Sequence, residues 1–251
     1  MKSRKSLYHK KYYGITTKNL HELSDGHKKV LDIFSKCKFE KILDVGCGDG
    51  NFSVLLKEAC NAKEVYGIEI SEKGVELARK NGVKVFQLDI DEEDFPFENN
   101  YFDAIFAGSV IEYLFDPDHL LEEVRRVLKD QGLFVITFPN LASFYNRIAL
   151  LLGFQPFGMN VSLRYRVGHL YKVKDYKPPL PLAGNIRPFT LSSLEELLEI
   201  YNFDILSIKG ARANIQEYSG LIRSFIALID KVISKFASIS PDVIIVARVR
   251  K

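Results

Sequence analysis

Short apolar runs alternate with amphipathic stretches between residues 41 and 138. The apolar runs predict strands over 41–45, 64–70, 83–90, 101–110 and 133–138. Apolar residues at helical spacing predict helices over 51–60, from Ser71 to about Lys80, and from Asp116-Pro117 to a stop at Gln131-Gly132. Because the strand runs are continuous rather than alternating, helices are expected on both faces of the sheet. The order predicts an α/β fold with a doubly wound parallel sheet.

The pattern changes after Pro139. Residues 141–152 are helix-like, 153–189 are irregular, and the spacing of Ser192 and Glu195 predicts a capping box. Strands predicted over 203–210 and 242–250 bring the mostly parallel sheet to seven. An amphipathic helix is predicted over 217–238, with an apolar stripe of Leu221, Phe225, Leu228, Ile229, Val232 and Phe236. We expect this stripe to pack on the sheet, with a membrane surface or a dimer contact as alternatives.

The length of 251 residues predicts a single domain. Its expected parts are a basic N-terminal arm and helix (1–40), a core (41–140), an insertion after strand 5 (141–189), and closing helices and strands (190–251). The longest clean apolar run, 148–152, is too short for a membrane span, and the basic N-terminus lacks the apolar stretch of a secretory signal. Cys37, Cys47 and Cys60 match neither a disulfide nor a zinc framework, so we expect no metal and a cytoplasmic location.

The net charge of +3 is unevenly distributed along the chain. The three segments 1–40, 41–140 and 141–251 carry +6, −10 and +7. The insertion is basic, with interleaved tyrosines, and long connections of this kind are commonly binding loops. A basic insertion predicts an anionic partner, whereas a solvated loop that balances the acidic core is the simpler interpretation.

Three acids lie at the ends of three adjacent predicted strands. Asp44 precedes the glycine-rich turn Gly46-Cys47-Gly48-Asp49-Gly50, where the backbone can approach a ligand closely. Glu69 ends the second strand, suited to accept hydrogen bonds from a ribose diol, and Asp89 ends the third, suited to an adenine amino group. Such an acidic cluster repels a pyrophosphate and favours a cationic nucleoside without phosphates.

The segments KILDVGCGDG, YGIEI, LDI, FDAIFAGSVIEYL and LKDQGLFVITFPN resemble, in order and spacing, the class I S-adenosylmethionine-dependent methyltransferases. The similarity covers about residues 40–140 and extends more loosely to 210. It is greatest for the small-molecule group called type 11, and especially for its MetW-like branch. The resemblance implies a Rossmann-like fold and S-adenosyl-L-methionine as cofactor, with S-adenosyl-L-homocysteine as product.

The resemblance also implies roles for individual residues. Asp44, Gly46 and the rest of the turn, Cys47 and Gly48, would contact the methionine moiety, although Cys47 could simply fill space. Glu69 would bind the ribose and Asp89 the adenine amino group. Ile70 and Ile90 would contact the adenine ring from its two sides, and Ser109 would line the methyl-donor side of the cofactor.

This chain departs from many relatives where a histidine base would stand. The triplet reads Glu112-Tyr113-Leu114, so Tyr113 could orient a substrate but is a poor base at neutral pH. His169 is the proton-transfer candidate in the insertion. The candidate acceptor-binding residues are Tyr145, Arg147, Arg164, Arg166 and Arg187. The missing base favours an acceptor that is already nucleophilic, such as a carboxylate or a phenolate.

The leading hypothesis is therefore methyl transfer to a small, anionic acceptor by in-line displacement. The alternative is a non-catalytic, cofactor-binding MetW-like partner of a biosynthetic enzyme, and a homodimer is also open. A nicotinamide-dependent oxidoreductase is disfavoured because Asn51 breaks the G-x-G-x-x-G pattern. No RNA-binding module is recognisable, which makes a nucleic-acid partner less favoured.

Overall fold

Seven strands form one sheet in a computed structural model that describes residues 23–162, 165, 167–170, 185–213 and 220–251. The strands are β1 (Lys41–Val45), β2 (Glu64–Glu69), β3 (Lys84–Gln87), β4 (Phe102–Gly108), β5 (Leu128–Pro139), β6 (Phe203–Ala211) and β7 (Asp242–Val249). The helices are α1 (Asp25–Ser35), α2 (Asn51–Cys60), α3 (Glu72–Lys80), α4 (Pro117–Val127), α5 (Phe144–Leu151), α6 (Leu191–Ile200) and α7 (Gly220–Ile233). Short 3₁₀ turns lie at Ile111–Tyr113 and Ala237–Ile239.

The strand order is β3-β2-β1-β4-β5-β7-β6, and β7 runs antiparallel to both of its neighbours. Strands β1 to β5 are parallel, so their carboxyl ends meet at one edge of the sheet. In an open sheet of this kind, ligands bind in the crevice beyond that edge. The predicted α/β class, the seven mostly parallel strands and the helix between the last two strands are confirmed.

Two apolar cores cover the two faces of the sheet. One packs α4 and α6 against Leu43 and Val45 of β1, and the other packs α1, α2 and α3 against Ile42 of the same strand. Successive side chains of a strand point to opposite faces, which explains why one strand feeds both cores. The continuous apolar runs of the sequence have this origin.

Short polar side chains start several of the helices. Ser24, Ser71, Asp116 and Ser143 each accept a hydrogen bond from the amide three residues later, which satisfies a donor that the helix leaves open. Pro117 occupies the first position of α4, where its missing amide proton costs nothing. The predicted helix start at Asp116-Pro117 is confirmed.

Two predicted boundaries are wrong. The cap of α6 is Thr190, which forms its capping box with Ser193, because the helix begins one residue before Ser192. Helix α4 ends at Val127 rather than at Gln131-Gly132. Those two residues lie inside β5, where Gln131 has φ +58° next to an irregularity in the pairing with β4.

Three residues of the predicted apolar stripe of α7 are exposed rather than packed on the sheet, whereas Ile229 is partly buried. Leu228, Val232 and Phe236 are each more than half exposed, whereas Asp230 and Ile233 are buried. The side chains of Leu221 and Phe225 lie outside the described residues. Within the described ranges, no helix combines the length and hydropathy that crossing a bilayer would require.

Candidate functional site

The glycine-rich turn after β1 brings its backbone against two other strand ends. Gly46, Gly48 and Gly50 all have positive φ, at +73°, +60° and +77°. The amides of Gly46 and Cys47 both donate to the carbonyl oxygen of Ile68 in β2, at 2.8 and 3.0 Å. A Cβ on Gly46 would lie 2.4 Å from Cγ2 of Val110, just beyond β4. The turn therefore needs glycine here both for its conformation and for space.

Glu69, the last residue of β2, is buried directly beneath this turn. Its Oε2 accepts from the amide of Gly48 at 2.9 Å, and its Oε1 accepts from the amide of Ser71 at 2.7 Å. These two bonds fix the carboxylate between the glycine turn and the start of α3. A carboxylate offers about four acceptor sites, so a side chain of this type can accept hydrogen bonds from hydroxyl groups as well as from amides.

Asp44 is buried in the penultimate position of β1. The hydroxyl of Ser53 in α2 donates to its Oδ2 at 2.5 Å. Burial, opposed by the Ser53 bond and assisted by the negative charge of Glu69, raises the pKa of Asp44 to about 7. A cation bound at this edge would favour the charged form of Asp44.

The third acid lies just past the end of β3. Asp89 is half-buried, and its Oδ1 accepts from the amide of Asp91 at 3.2 Å. Ile90 is buried and Ile70 is partly exposed. The amide of Leu88 donates to the carbonyl oxygen of Glu69 at 3.1 Å, which joins this segment to the end of β2. The structure thus brings these predicted residues to the same edge.

Cys47 points into the protein rather than toward the edge. Its Sγ would lie 2.5 Å from a Cβ on Gly67, so the thiol fills the space that this glycine leaves. Burial raises the pKa of the Cys47 thiol, which keeps the sulfur protonated and unreactive. Only the backbone of Cys47 is available to a ligand of the turn.

Ser109 follows β4 with a φ of +53°, a backbone conformation that residues other than glycine rarely adopt. Its amide donates to the carbonyl oxygen of Thr137 in β5 at 2.9 Å, and the residue is exposed at the edge. Strained residues of this kind tend to cluster at functional sites. Ser109 therefore lies where β4 and β5 both end.

A buried acid, Glu112, lies on the 3₁₀ turn that follows Ser109. Glu112 is 1% exposed, and its Oε2 has no hydrogen-bond partner among the described residues. Burial, assisted by the charge of Asp242 at the start of β7, raises the pKa of Glu112 to about 8. Burial also raises the pKa of Asp242 to about 7. Sequence reasoning missed Glu112, because in the triplet Glu112-Tyr113-Leu114 the signal was the absence of a histidine and not the acid itself.

Three of the predicted acceptor-binding residues form bonds within the chain. The hydroxyl of Tyr145 in α5 donates to Oδ1 of Asp230 in α7 at 2.6 Å. Nε of Arg147 donates to the carbonyl oxygen of Ala142 at 2.7 Å, and Nε of Arg187 donates to that of Phe115 at 2.8 Å. Arg164 and Arg166 lie outside the described residues.

The two predicted proton-transfer residues lie in different parts of the molecule. Tyr113 is half-buried in the 3₁₀ turn that follows β4. His169 is buried in the insertion, where its ring stacks on Phe157 and its Nε2 lies 3.3 Å from Oδ1 of Asn160. The structure therefore places Tyr113, but not His169, on the segment that directly follows Ser109.

His27 is a titratable residue that sequence reasoning missed. It lies in the first turn of α1 and packs on Phe52 of α2, with ring centroids 4.5 Å apart. Its Nδ1 is buried and has no hydrogen-bond partner among the described residues. Burial lowers the pKa of His27, so the ring is neutral at physiological pH. Nothing in the sequence pattern marked it, because it precedes every strand of the motif.

The donor set at this edge suits a cationic nucleoside. It offers two buried carboxyl groups, a third at the end of β3, and a glycine backbone that a Cβ would obstruct. Within the described residues, no group of His, Cys, Asp and Glu is arranged to hold a metal ion. These residues therefore fit an adenosyl sulfonium better than a phosphorylated cofactor.

Comparisons with known proteins agree with this geometry. Residues 43–136 match the family model Methyltransf_11, described as a methyltransferase domain. A probable S-adenosylmethionine-dependent methyltransferase of Mycobacterium tuberculosis is 28% identical over 109 residues, which are 43% of this chain and 39% of that protein. A demethylmenaquinone methyltransferase of Thermotoga maritima is 32% identical over 124 residues, or 48% and 54% of the two chains. The chain thus spans about half the length of the curated relatives it matches.

Solved structures share the whole fold at low sequence identity. One is a chain of the complex between the Haloferax volcanii Trm112 methyltransferase activator and its methyltransferase, with a TM-score of 0.63, 15% identity, and coverage of 91% of this chain and 90% of that one. A Thermotoga maritima S-adenosylmethionine-dependent methyltransferase has a TM-score of 0.60 at 20% identity, with 89% of each chain covered.

The seven-stranded sheet is that of a class I methyltransferase, Rossmann-like fold. Within it, residues 43–136 are similar to the methyltransferase domain of S-adenosylmethionine-dependent methyltransferases.

Proposed function

We propose that this protein binds S-adenosylmethionine and transfers its methyl group to an acceptor. The observation that carries this proposal is the position of the buried Glu69 carboxylate, which is fixed at the end of β2 between the glycine turn and the start of α3. A carboxylate at this place is the group that would accept hydrogen bonds from a ribose diol. Asp44 and the backbone of Gly46 to Gly48 would hold the methionine moiety. Asp89 would bind the adenine amino group, and Ile70 and Ile90 would lie on either side of the ring.

S-adenosylmethionine, when bound, supplies an electrophilic methyl group on a sulfonium. The chain's part is to hold donor and acceptor in line, which can contribute about 7–11 kcal/mol of barrier lowering. Ser109 would line the path between them, because it is exposed where β4 and β5 end. Tyr113, on the turn that follows, would orient the acceptor, and His169 would accept a proton if the acceptor needs to lose one.

The charge of the methyl acceptor is a separate part of the proposal. A small anionic acceptor is the prediction from the basic insertion, with Arg164 and Arg166 as its remaining cationic candidates. Arg147 and Arg187 instead bond to backbone carbonyls, and the turn that follows Ser109 carries the buried acid Glu112, with Asp242 as an acidic neighbour. These observations favour a second candidate, an acceptor that is uncharged at the methylated atom. The similarity to a demethylmenaquinone methyltransferase supports this candidate.

Calorimetric titration with S-adenosylmethionine and S-adenosylhomocysteine tests the donor site. Glu69→Ala should weaken binding by about 1.5–3 kcal/mol, the worth of hydrogen bonds to a charged group. Glu64→Ala is the matched control, because Glu64 starts the same strand and its Oε1 forms an exposed ion pair with Lys84. Binding of neither ligand by the folded wild-type protein would refute the proposal.

Turnover separates the enzyme from a non-catalytic partner. Anionic metabolites and uncharged phenols should be offered in parallel, with release of S-adenosylhomocysteine as the readout. Donor binding without turnover on any acceptor would favour the MetW-like alternative, a cofactor-binding partner of a biosynthetic enzyme. The fold similarity to a chain from an activator complex makes co-expression with an activator protein a reasonable second step.

A further inference from the structure

Two neighbouring helices turn apolar faces to solvent. On α5, Phe144, Ile148 and Leu151 follow at i, i+4 and i+7 and are exposed, Leu151 by 81%, whereas Asn146 and Ala149 on the other side are buried. The exposed apolar run continues after the helix through Leu152 and Phe154. This arrangement exceeds the scattered apolar residues of an ordinary surface.

The second helix, α7, shows the same pattern. Leu228 and Val232 lie one turn apart on its outer side, and Phe236 follows just beyond its end. Asp230 points inward, and its Oδ1 accepts a hydrogen bond from the hydroxyl of Tyr145 in α5 at 2.6 Å. This bond holds the two helices together. We refer to the exposed residues 144, 148, 150–152, 154, 228, 232 and 236 as the α5/α7 surface.

Among the described residues on these two segments, the exposed charges are positive. From 141 to 162 there is no Asp or Glu, and Arg147 is exposed. Between residues 228 and 241 the one acid is Asp230, which is buried and hydrogen-bonded, whereas Lys231 and Lys235 are exposed. Apolar side chains with cations beside them complement a surface that is apolar inside and anionic outside.

A bilayer with anionic headgroups has this chemistry. Helices that lie in a membrane interface combine Leu and Phe on one face with Lys and Arg beside it. A second copy of this chain would bring two basic surfaces together, and that juxtaposition is unfavourable. A bilayer also needs no transmembrane helix, which agrees with the lengths of α5 and α7.

We propose that the α5/α7 surface docks this protein on an anionic lipid bilayer. Helix α5 follows the carboxyl end of β5, and Nη2 of Arg147 contacts the carbonyl oxygen of Ser238, close to the start of β7. The surface therefore adjoins the edge of the sheet that holds the proposed donor site. If the proposed function holds, docking presents that edge to acceptors that partition into lipid.

Sedimentation of the full chain with vesicles tests the proposal. The protein should bind vesicles of phosphatidylcholine mixed with phosphatidylglycerol, bind weakly to phosphatidylcholine alone, and dissociate as salt rises. Leu151→Glu and Val232→Glu should each lower the vesicle affinity about tenfold or more, because an acid replaces an apolar side chain in the interface. Ile200→Glu is the matched control, since Ile200 at the end of α6 is 72% exposed outside the surface.

Three outcomes would overturn the proposal. One is the absence of binding to anionic vesicles, and another is an equal loss of binding in the Ile200→Glu control. The third is a marked fall in melting temperature for Leu151→Glu, or a dimer that this variant dissociates, because another protein segment or a second copy would then cover the surface. Calorimetry with S-adenosylmethionine is a separate readout, so failure of the donor site would leave the vesicle result standing.

Discussion

Replacing Glu112 with Gln should change how the stability of the protein depends on pH. Glu112 is buried, with one carboxyl oxygen unpartnered among the described residues and Asp242 as an acidic neighbour, and its pKa is raised to about 8. In the unfolded chain its pKa is near the ordinary value of 4.5 for a glutamate. The unfolded state therefore loses this proton at lower pH than the folded state does.

The sign and size follow from this difference. Below about pH 4.5 both states are protonated, and the group does not affect the pH slope. As the pH rises toward 8, the unfolded state is favoured by about 1.4 kcal/mol per pH unit, so the stability present in acid is lost by up to about 5 kcal/mol. Above pH 8 the loss is complete. A glutamine of the same shape does not titrate, so the variant lacks this loss.

Urea denaturation at several pH values measures the effect. The free energy of unfolding of Glu112→Gln relative to wild type should rise between about pH 5 and 8, whatever constant cost the buried amide adds. Glu123→Gln is the control with the opposite sign. Glu123 is also buried, but its bonds with Arg126 and the amide of Phe95 hold its pKa low, so it stabilises the fold above its unfolded pKa and loses this as pH falls. Equal pH slopes for wild type and Glu112→Gln would refute the reasoning.

Three further predictions concern the donor edge and the α5–α7 contact. Because the pKa of Asp44 is about 7, the affinity for cationic S-adenosylmethionine should fall up to about tenfold per pH unit below 7, and calorimetry should find this dependence flattened in Asp44→Asn. Gly46→Ala should lower the free energy of unfolding, measured in urea, by about 2–4 kcal/mol, because its Cβ would clash with Val110. Gly82 also has a positive φ (+84°) but open space around it, so Gly82→Ala should lower it by only about 1–2 kcal/mol. Equal losses in the two variants would argue against the steric clash. Tyr145→Phe should lower stability by about 1–3 kcal/mol, because Asp230 loses its hydroxyl donor, and an unchanged melting temperature would contradict this.

The donor half of the site could be predicted because its signals are local in sequence. The glycines at 46, 48 and 50 mark a turn that needs positive φ, and the acids at 44, 69 and 89 end three apolar runs. Parallel topology then brings those ends together without further information. Whether each of these residues binds the cofactor stays a prediction.

The features that sequence reasoning missed depend on tertiary context. Periodicity marks α7 as amphipathic, but it does not say whether Leu228 faces the sheet or solvent. In the structure, Asp230 faces inward and bonds to Tyr145, which turns Leu228 outward. The burial of Glu112 likewise depends on elements distant in sequence. The β5 boundary was missed because the strand continues, with a shift in its register against β4, through a Gln-Gly pair that normally marks a stop.

The position of β7 has a consequence for the order in which the molecule can fold. Strands β1 to β5 come first in the chain and are neighbours in the sheet, in the spatial order β3-β2-β1-β4-β5. The proposed donor site lies at their carboxyl ends. β7 comes after all of them yet lies between β5 and β6, to which it is antiparallel. During synthesis, the half of the sheet formed by β1 to β5 can therefore assemble while β6 still has no partner strand. The edge next to Glu112 and Asp242 closes only when the ribosome has released β7, so the two halves of the site should acquire protection from hydrogen exchange at different times.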